Sequence, residues 1–446
     1  LEEEGGATVN ADLSIGEGSI QIDGIWSNVD DTKLAVAIES VDLARLLPLW
    51  DAELEGVQGI VHTQLSVEGN GTSLATEATS EFRALKWPGV IKAMHASTEI
   101  KTEPDGLVVE LDVRKARKPL LSGHAKLPIT IYPDGASLDG DAPWQLALML
   151  APSTTDLWKK ALDLDDVDLP SSAFSASLRA GGTPRKPETQ FAGVLESVTG
   201  ADGELLRFEW DLQQTTDRAT LDGVLRAGFD PRVQLTGQSR FALQEVADAL
   251  LEGKPTGELS DPARWLSDVA LDLHATELSL STVRGLVSLP RVINGKASGN
   301  LSFTGYPAQP TIQGRFELLE ASIGSVPVEE SHFALLPKEG GYELDMRVGF
   351  GHATRSQQEG LFSFVSDAPD ETTEPGWVAI GGFLPLVWNE KGIDLTQTGT
   401  NVKIKGPGIP LGAISAAVGE ESYATGLLQL SGSVRGSLER PRPKLK

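Results

Sequence analysis

The chain has 446 residues, of which 38 are Lys or Arg and 63 are Asp or Glu, so its formal net charge is −25. This acidic excess opposes binding to the phosphates of nucleic acids and to anionic membrane surfaces. Cysteine is absent, which excludes a disulfide framework, a thiolate nucleophile and a cysteine-based zinc site. Because 40% of the residues are hydrophobic, the chain has enough apolar side chains to fold.

Apolar and polar residues alternate with a period of two along much of the chain, which predicts β-strands. The pattern is clearest at residues 61–67, 206–212, 312–318 and 342–350. Breaks that contain Gly or Pro, such as Pro104-Asp105-Gly106, predict turns between them. One apolar and one polar face per strand is typical of an antiparallel sheet. The sequence therefore predicts a mainly β protein.

Helical periodicity is confined to short segments, several of which end at Pro or Gly. In chain order, the predicted helices are Asp42–Leu47, Thr154–Leu164, Leu243–Leu251, Pro262–Ala270, Ser281–Leu289 and Pro410–Val418. We expect them to be inserts between strands.

A spacing of two glycines with nine residues between them recurs along the chain, which indicates an internal repeat. The glycine pairs are Gly59 and Gly69, Gly295 and Gly305, and Gly426 and Gly436. A proline follows the second glycine five positions later at Pro310 and Pro441, and a weaker copy has Gly182 and Pro187. Anchored near Gly69, Gly182, Gly305 and Gly436, the repeats predict approximate units 1–40 (partial), 41–153, 154–280, 281–409 and 410–446 (partial). Each unit is predicted to contain a short helix, a strand, a Gly-Pro turn and further strands.

Two segments resemble the TamB branch of the AsmA-like superfamily, the translocation and assembly module proteins. The first runs from Ser40 to Leu49 and continues through Gly56-Val-Gln-Gly59. The second is Gly299-Asn-Leu-Ser-Phe-Thr-Gly305-Tyr-Pro-Ala-Gln-Pro310, which continues through Gly314 and Leu318 to Pro327.

The resemblance implies a fold as well as a function. The expected fold is an elongated single antiparallel sheet, curled into an open hydrophobic groove (a β-taco or repeating β-groove) with short helical inserts. Aliphatic and aromatic side chains of the alternating strands are expected to line this groove. The predicted lining residues are Val61, Leu65, Val67, Phe174, Leu178, Phe208, Trp210, Leu301, Phe303, Ile312, Phe316, Leu344, Met346, Val348, Leu428, Leu430 and Val434.

The implied function is conduction of phospholipid between the inner and outer membranes of a Gram-negative envelope, or assistance to outer-membrane biogenesis. The expected partners are phospholipid acyl chains and, through parts of the protein outside this chain, an outer-membrane barrel protein similar to TamA. No signal peptide and no apolar span of membrane-crossing length is present in these residues. We therefore expect an internal periplasmic segment of a longer protein that is anchored in the inner membrane.

No motif in the sequence predicts a catalytic, cofactor-binding or metal-binding site. The six histidines lack metal-ligand spacing, and they are His62, His95, His124, His274, His332 and His352. The acidic run from Asp163 to Asp168 lacks the Gly and Glu that a calcium-binding EF-hand loop requires. We expect a protein that is not an enzyme.

Alternation alone leaves a second interpretation open. A structural or adhesive β-repeat protein, with apolar faces packed against each other as in a sandwich, requires the same apolar face on every strand. Whether the apolar face lines a groove or forms a closed core is a question for the structure.

Overall fold

The computed structural model describes residues 7–27, 31–47, 57–87, 91–161, 172–198, 205–241, 266–284, 293–306, 309–351, 376–389, 392–394, 396–418 and 426–445. The chain divides into two compact units. The first unit comprises residues 1–197, 208–219 and 241–260, and the second comprises 198–207, 220–240 and 261–446.

The described residues are 81% strand and form one long antiparallel sheet of 25 strands that is not closed. This confirms the prediction of a mainly β protein built on a single antiparallel sheet. The strands are β1 (Ala7–Ile15), β2 (Gly18–Trp26), β3 (Thr32–Asp42), β4 (Gln58–Asn70), β5 (Ser73–Trp87), β6 (Ile91–Glu103), β7 (Gly106–Lys115), β8 (Lys118–Leu127), β9 (Ile129–Tyr132), β10 (Gly135–Leu138), β11 (Gln145–Thr154), β12 (Ser172–Thr183), β13 (Lys186–Val198), β14 (Leu205–Gln214), β15 (Arg218–Ala227), β16 (Asp230–Phe241), β17 (Leu266–Ser279), β18 (Ile293–Tyr306), β19 (Gln309–Ile323), β20 (Val326–Lys338), β21 (Gly341–Phe350), β22 (Trp377–Leu384), β23 (Val387–Asn389), β24 (Gly392–Asp394), β25 (Thr400–Pro410), β26 (Leu427–Gly436) and β27 (Pro441–Leu445).

Sequential antiparallel pairing builds both units. In the first unit each strand from β1 to β8 pairs with the next, β8 then pairs with β11, and β11 continues to β12 and β13. The hairpin of β9 and β10 is inserted between β8 and β11, and Ile131 of β9 pairs with Leu74 of β5. In the second unit, β17 to β22 pair in order and continue through β25 to β26 and β27. The short strands β23 and β24 form a separate two-stranded sheet.

Four short helices are described, and each follows a strand that has an irregular end. They are α1 (Leu43–Leu46), α2 (Thr155–Ala161), α3 (Leu280–Arg284) and α4 (Leu411–Val418). The strand before each helix shifts register against the next strand, between Ile38 and Val41, Leu150 and Ser153, Ala275 and Leu278, and Gly406 and Ile409. In every case two residues of the first strand oppose one residue of its partner, as in a β-bulge. The helix begins two residues after the shift, and we call this feature the bulge–helix arrangement.

The strand that follows each helix ends at one of the predicted glycine turns, and these turns share one register. The second glycine of each copy pairs across the turn with the residue five positions later, and the pairs are Gly69 with Leu74, Gly182 with Pro187, Gly305 with Pro310, and Gly436 with Pro441. A Cβ atom on Gly69 would lie 2.2 Å from the carbonyl oxygen of Ser73, and one on Gly182 would lie 2.4 Å from that of Lys186. Both positions therefore require glycine because the neighbouring backbone approaches too closely for a side chain.

Four of the predicted helices are observed in part or whole, and one prediction is wrong. The prediction of Pro262–Ala270 fails because Leu266–Ser279 is β17, in which Val269, Leu271 and Leu273 pair with β18. From Val269 onward, apolar and polar residues alternate with a period of two, which is the pattern of a strand. The predicted helix Leu243–Leu251 and the end of Ser281–Leu289 lie outside the described residues, as does the end of Thr154–Leu164. Among the described helices, none has both the length and the apolar composition needed to cross a bilayer.

Candidate functional site

The register of the first unit brings apolar side chains into continuous rows on one side of the sheet, which we call the apolar face. Residues directly opposite each other in paired strands project to the same side. One row contains no charged residue from β1 to β13, and its members are Ala11, Ile22, Val36, Leu65, Ala78, Ile100, Val109, Ala125, Leu146, Ala180 and Thr189.

The neighbouring row lies on the opposite side, which we call the polar face. Its members are Asp12, Gln21, Ala37, Gln64, Thr79, Glu99, Glu110, His124, Ala147, Arg179 and Gln190. The two rows are one residue apart on every strand, so the difference between the faces comes from the alternation alone.

The second unit repeats this division. An uncharged row crosses from β17 to β26 and consists of Ala275, Gly299, Phe316, Phe333, Met346, Ile380, Ile404 and Gly432. The row on the other side consists of His274, Asn300, Arg315, Ala334, Asp345, Gly381, Lys403 and Ser433. Each unit therefore has an apolar face of its own.

All of the residues predicted to line a groove lie on these apolar faces. In the first unit, Leu65 and Leu178 belong to adjacent rows of the face, and Val61 and Val67 are buried. In the second unit, Leu301 and Leu428 are the most exposed of the predicted residues, at 36% and 38% of their surface. The remaining ones are half-buried, and they are Phe174, Phe208, Trp210, Phe303, Ile312, Phe316, Leu344, Met346, Val348, Leu430 and Val434 as well as Leu65 and Leu178.

The apolar face of the first unit is the more shielded side, and its alanines can be compared with those of the polar face. On the polar face, Ala35, Ala75 and Ala147 are exposed. On the apolar face, Ala78, Ala96 and Ala125 are half-buried. Ala37 and Ala192, on the polar face, are half-buried as well, so the alanines follow the difference between the faces only in part.

An aromatic cluster interrupts the aliphatic rows of the first unit. The ring of Trp210 stacks on those of Phe174 and Phe208, with centroid distances of 6.1 and 5.7 Å, and lies 6.0 Å from that of Phe191. Trp210 also covers Gly193, where a Cβ atom would lie 2.2 Å from the indole ring. Phe174 and Phe191 belong to β12 and β13 and share the apolar face with Leu178.

The helices cover the apolar face only near one end of the strands. In the first unit, Leu43 of α1 is buried together with Val41, Val57 and Val61, and Leu157 of α2 packs on Met94 and Leu120. In the second unit, Ala413 of α4 is buried with Val326, Phe350 and Ile409. Protein side chains cover the apolar face at these clusters, and Val67, Leu74 and Ala176 are buried on the same face outside them.

The polar face of the first unit carries charged and polar side chains and forms a shallow depression. A depression of about 990 Å³ lies over it in the first unit and is lined from β3 to β12 by charged and polar groups, among them His62, Glu99 and Arg179, together with apolar side chains such as Leu148 and Met149. No group of His, Asp or Glu in the described part of the chain is arranged to hold a metal ion. An acyl chain placed here would contact carboxylates, so this depression does not suit a lipid tail.

Ion pairs on the polar face are local and exposed. Arg83 forms a two-fold hydrogen-bonded pair with Glu81, at 2.9 and 3.0 Å, and lowers the pKa of that carboxyl group. Lys126 lies 2.8 Å from Asp105 and 3.3 Å from Glu103, and these two carboxylates raise the pKa of the lysine. Such pairs neutralise charge on the solvent side and add little stability.

Sequence reasoning missed the residues that hold the bulge–helix arrangement. Ser40 and Glu277, three residues before α1 and α3, adopt left-handed φ angles of 54° and 46°. The Ser40 amide donates a hydrogen bond to Nδ1 of His62 at 3.3 Å, and the Glu277 amide donates one to Oγ of Ser298 at 2.8 Å. Each acceptor lies three residues after the first glycine of its copy, Gly59 or Gly295. This constant offset is the feature of the sequence that marks the position of the acceptor.

Comparison of the chain with models of known protein families, with curated proteins and with solved structures gives no match in any of the three.

Proposed function

We propose that this chain binds phospholipid acyl chains on its apolar faces and conducts lipid between the inner and outer membranes of a Gram-negative envelope, as a TamB-like protein. The single observation that supports this is the uncharged row that crosses each unit strand after strand. A charged side chain in such a row would desolvate on contact with an acyl chain, at a cost of several kcal/mol. The rows contain no such barrier.

The energetics explain why an uninterrupted apolar surface is sufficient. Moving a lipid tail from a bilayer into water costs about 0.8 kcal/mol per methylene group, or more than about 10 kcal/mol for a tail of ordinary length. An apolar surface offsets this cost without specific contacts, because hydrophobic burial has no preferred direction. In this proposal the tail lies along the apolar rows, while the headgroup stays in water.

Partners and location follow from the same proposal. The chain acts in the periplasm as an internal segment of an inner-membrane-anchored protein, and other parts of that protein engage an outer-membrane barrel protein similar to TamA. It carries out no covalent chemistry, so it is not an enzyme.

A closed-core scaffold, structural or adhesive, is the second candidate. The buried clusters around α1, α2 and α4 favour it locally, since protein side chains cover the apolar face there. The two candidates differ in what lies against the middle of the strands.

Site-specific photocrosslinking tests the proposal with a matched control on the same strand. A benzophenone side chain at Leu65 projects from the apolar row, and one at Gln64 projects from the polar row. In cells or with vesicles, we expect phospholipid adducts at position 65 and not at position 64. Adducts at neither position, with position 65 joined only to protein, would establish the closed core instead.

A substitution pair separates lipid binding from folding. Leu65→Asp places a charge in the apolar row, and Gln64→Asp adds the same charge to the polar row. We expect Leu65→Asp to reduce the phospholipid that co-purifies with the protein, as counted by native mass spectrometry, while circular dichroism shows that both variants fold. Equal lipid content in the two variants would overturn the proposal.

A further inference from the structure

The polar face of strands β25, β26 and β27 carries a cluster of positive charge. These three strands contain no Asp or Glu, and five of their residues are Lys or Arg. The five are Lys403, Lys405, Arg435, Arg442 and Lys444, and we call them the basic patch. All five are exposed, and they project to the same side because they occupy alternate positions of directly paired strands.

The register of the strands concentrates these charges. Arg435 pairs directly with Arg442, and like charges that lie opposite each other destabilise a sheet. Lys403 and Lys444 lie on either side of Ser433, with their Cα atoms about 10 Å apart across two strand spacings. An anion above Ser433 would be within reach of both ammonium groups. The basic patch is therefore unfavourable for the protein alone, and a bound anionic partner would offset the repulsion.

Carboxylates of the described residues leave the basic patch uncompensated. Within the part of the chain that the structure describes, none of its five cations forms an ion pair. The acidic residues of the polar face on β21 are Asp345 and Glu343, two strands away from β25. They are paired with His332 at 3.2 Å and with Lys338 at 3.1 Å. The turn between β26 and β27 adds one carboxylate, Glu439, against five cations.

Apolar side chains lie beside the basic patch on the same side of the sheet. Ala379 of β22 pairs with Lys405, so Trp377 and Phe383, an even number of positions away, project to the polar face as well. On β26, Leu427 shares this face and is 50% exposed. Cations next to aromatic and aliphatic side chains are typical of surfaces that contact the headgroup region of a membrane. A nucleic acid or an acidic peptide would require the cations alone.

We propose that the basic patch docks on the surface of an anionic phospholipid bilayer, with its lysines and arginines against the headgroup phosphates. Arginine binds phosphate oxygens through paired hydrogen bonds, and lysine acts as a point charge. The net charge of −25 does not prevent this contact, because exposed charges more than about 8–10 Å away are screened at physiological ionic strength. Docking involves headgroups and the polar face, so it does not depend on the proposed binding of acyl chains to the apolar faces.

Co-sedimentation with vesicles tests the docking with a charge-matched control. Lys403→Gln with Lys444→Gln removes two charges from the basic patch. Lys33→Gln with Lys338→Gln removes the same charge from two exposed lysines that are paired with glutamates at 3.2 and 3.1 Å. With vesicles of phosphatidylcholine and phosphatidylglycerol, we expect the patch variant to bind about thirtyfold more weakly than the wild type, and the control to bind as the wild type does.

Vesicles of phosphatidylcholine alone provide the lipid control. They offer the same acyl chains without the net charge, so binding through the apolar faces would not distinguish the two compositions. We expect the wild type to prefer the anionic vesicles and to lose that preference at high salt. Equal binding to both compositions, or equal weakening in the patch and control variants, would overturn the proposal.

A soluble polyanion and a single substitution complete the test. If poly-glutamate binds the wild type at a lower concentration of negative charge than the vesicles do, the partner is an acidic protein and not a bilayer. Arg442→Gln removes the like-charge pair with Arg435, so we expect vesicle binding about fivefold weaker with no loss of amide protection in β26. A parallel loss of protection and binding would show a structural role and refute docking through this residue.

Discussion

The first and third copies of the bulge–helix arrangement share a geometry but not a sequence. Both have a bulge residue with left-handed φ, Ser40 in the first copy and Glu277 in the third. The amide of that residue donates to a side chain of the next strand, but the acceptor is the imidazole of His62 in one copy and the hydroxyl of Ser298 in the other. The surroundings also differ, because α1 is held in a buried cluster with Val41, Val57 and Val61.

This comparison indicates that position, more than residue type, defines the arrangement. A non-glycine residue with left-handed φ costs about 1–3 kcal/mol, and it persists only where surrounding contacts hold it. The bulge allows the strand to end with its apolar residues still facing the apolar side, so that the helix folds onto that side. Variants made in pairs, one in each copy, separate the contribution of the packing from that of the hydrogen bond.

The largest effect is expected from the helix anchors Leu43 and Leu280, which are both buried. Leu43→Ala leaves a cavity in a buried cluster, so it should lower the free energy of local opening at α1 by about 2–5 kcal/mol. The amides of α1 should then exchange their hydrogens faster. Leu280→Ala should lower the free energy of local opening at α3 by less, because Leu280 is not part of such a cluster among the described residues. Mass-spectrometric hydrogen exchange measures both, and a larger loss in the third copy would contradict the role of the cluster.

Replacing the first glycine of each copy should have the opposite outcome, with the larger loss of stability in the third copy. A Cβ atom on Gly295 would lie 2.6 Å from Cα of Ala321, whereas one on Gly59 would come no closer than 3.1 Å to the backbone of Arg83 and Leu85. Both have positive φ, so Gly→Ala is strained at either site. We expect Gly295→Ala to destabilise by about 3 kcal/mol and Gly59→Ala by about 1–2 kcal/mol. Urea unfolding followed by circular dichroism checks the order, with Gly340→Ala as a control at a turn that has open space.

Removing the side chain that accepts a hydrogen bond from the bulge amide should lower the free energy of unfolding by a smaller amount, about 1 kcal/mol in each copy. His62→Ala and Ser298→Ala each leave one amide without its side-chain partner, and exchange of that amide is the direct measurement. His62→Ser places the acceptor of the third copy in the first. If His62→Ser protects the Ser40 amide no better than His62→Ala does, the hydroxyl and imidazole are not interchangeable and the copies differ in backbone geometry.

The smallest effect concerns the carboxylate that faces His62. Glu81 pairs with His62 across the strands, and its pKa is lowered chiefly by the hydrogen bonds from Arg83. Arg83→Gln should raise that pKa toward its usual value, as measured by an NMR titration of the carboxyl group. Because the folded pKa is below the unfolded one, the stabilisation from this pair is present above the unfolded pKa and is lost as pH falls through the folded pKa. The unfolding free energies of wild type and variant should therefore converge in acid, and a constant difference would contradict the ion pair.

Much of the fold could be predicted because alternation is a local property. In Tyr342–Phe350 the period of two already predicts which residues share a face of the strand. The structure adds which residues of β20 and β22 lie beside them. The glycine spacing likewise predicts the shared turn register, since close backbone approach excludes a side chain at Gly69 and Gly182. The hydrogen bonds that His62 and Ser298 accept are harder to predict: their equal offset from Gly59 and Gly295 marks the position, but each bond joins residues more than 20 positions apart through a bulge that breaks the alternation.

The sequence by itself determined that the chain is a mainly β protein with one apolar and one polar face per strand, because the side-chain period of a strand is a property of its backbone. Tertiary structure decided that these faces join into uncharged rows, since a row exists only when the register of each strand matches that of its neighbour. It also decided where the helices cover the apolar face. Those features depend on contacts between distant segments, which no local pattern encodes.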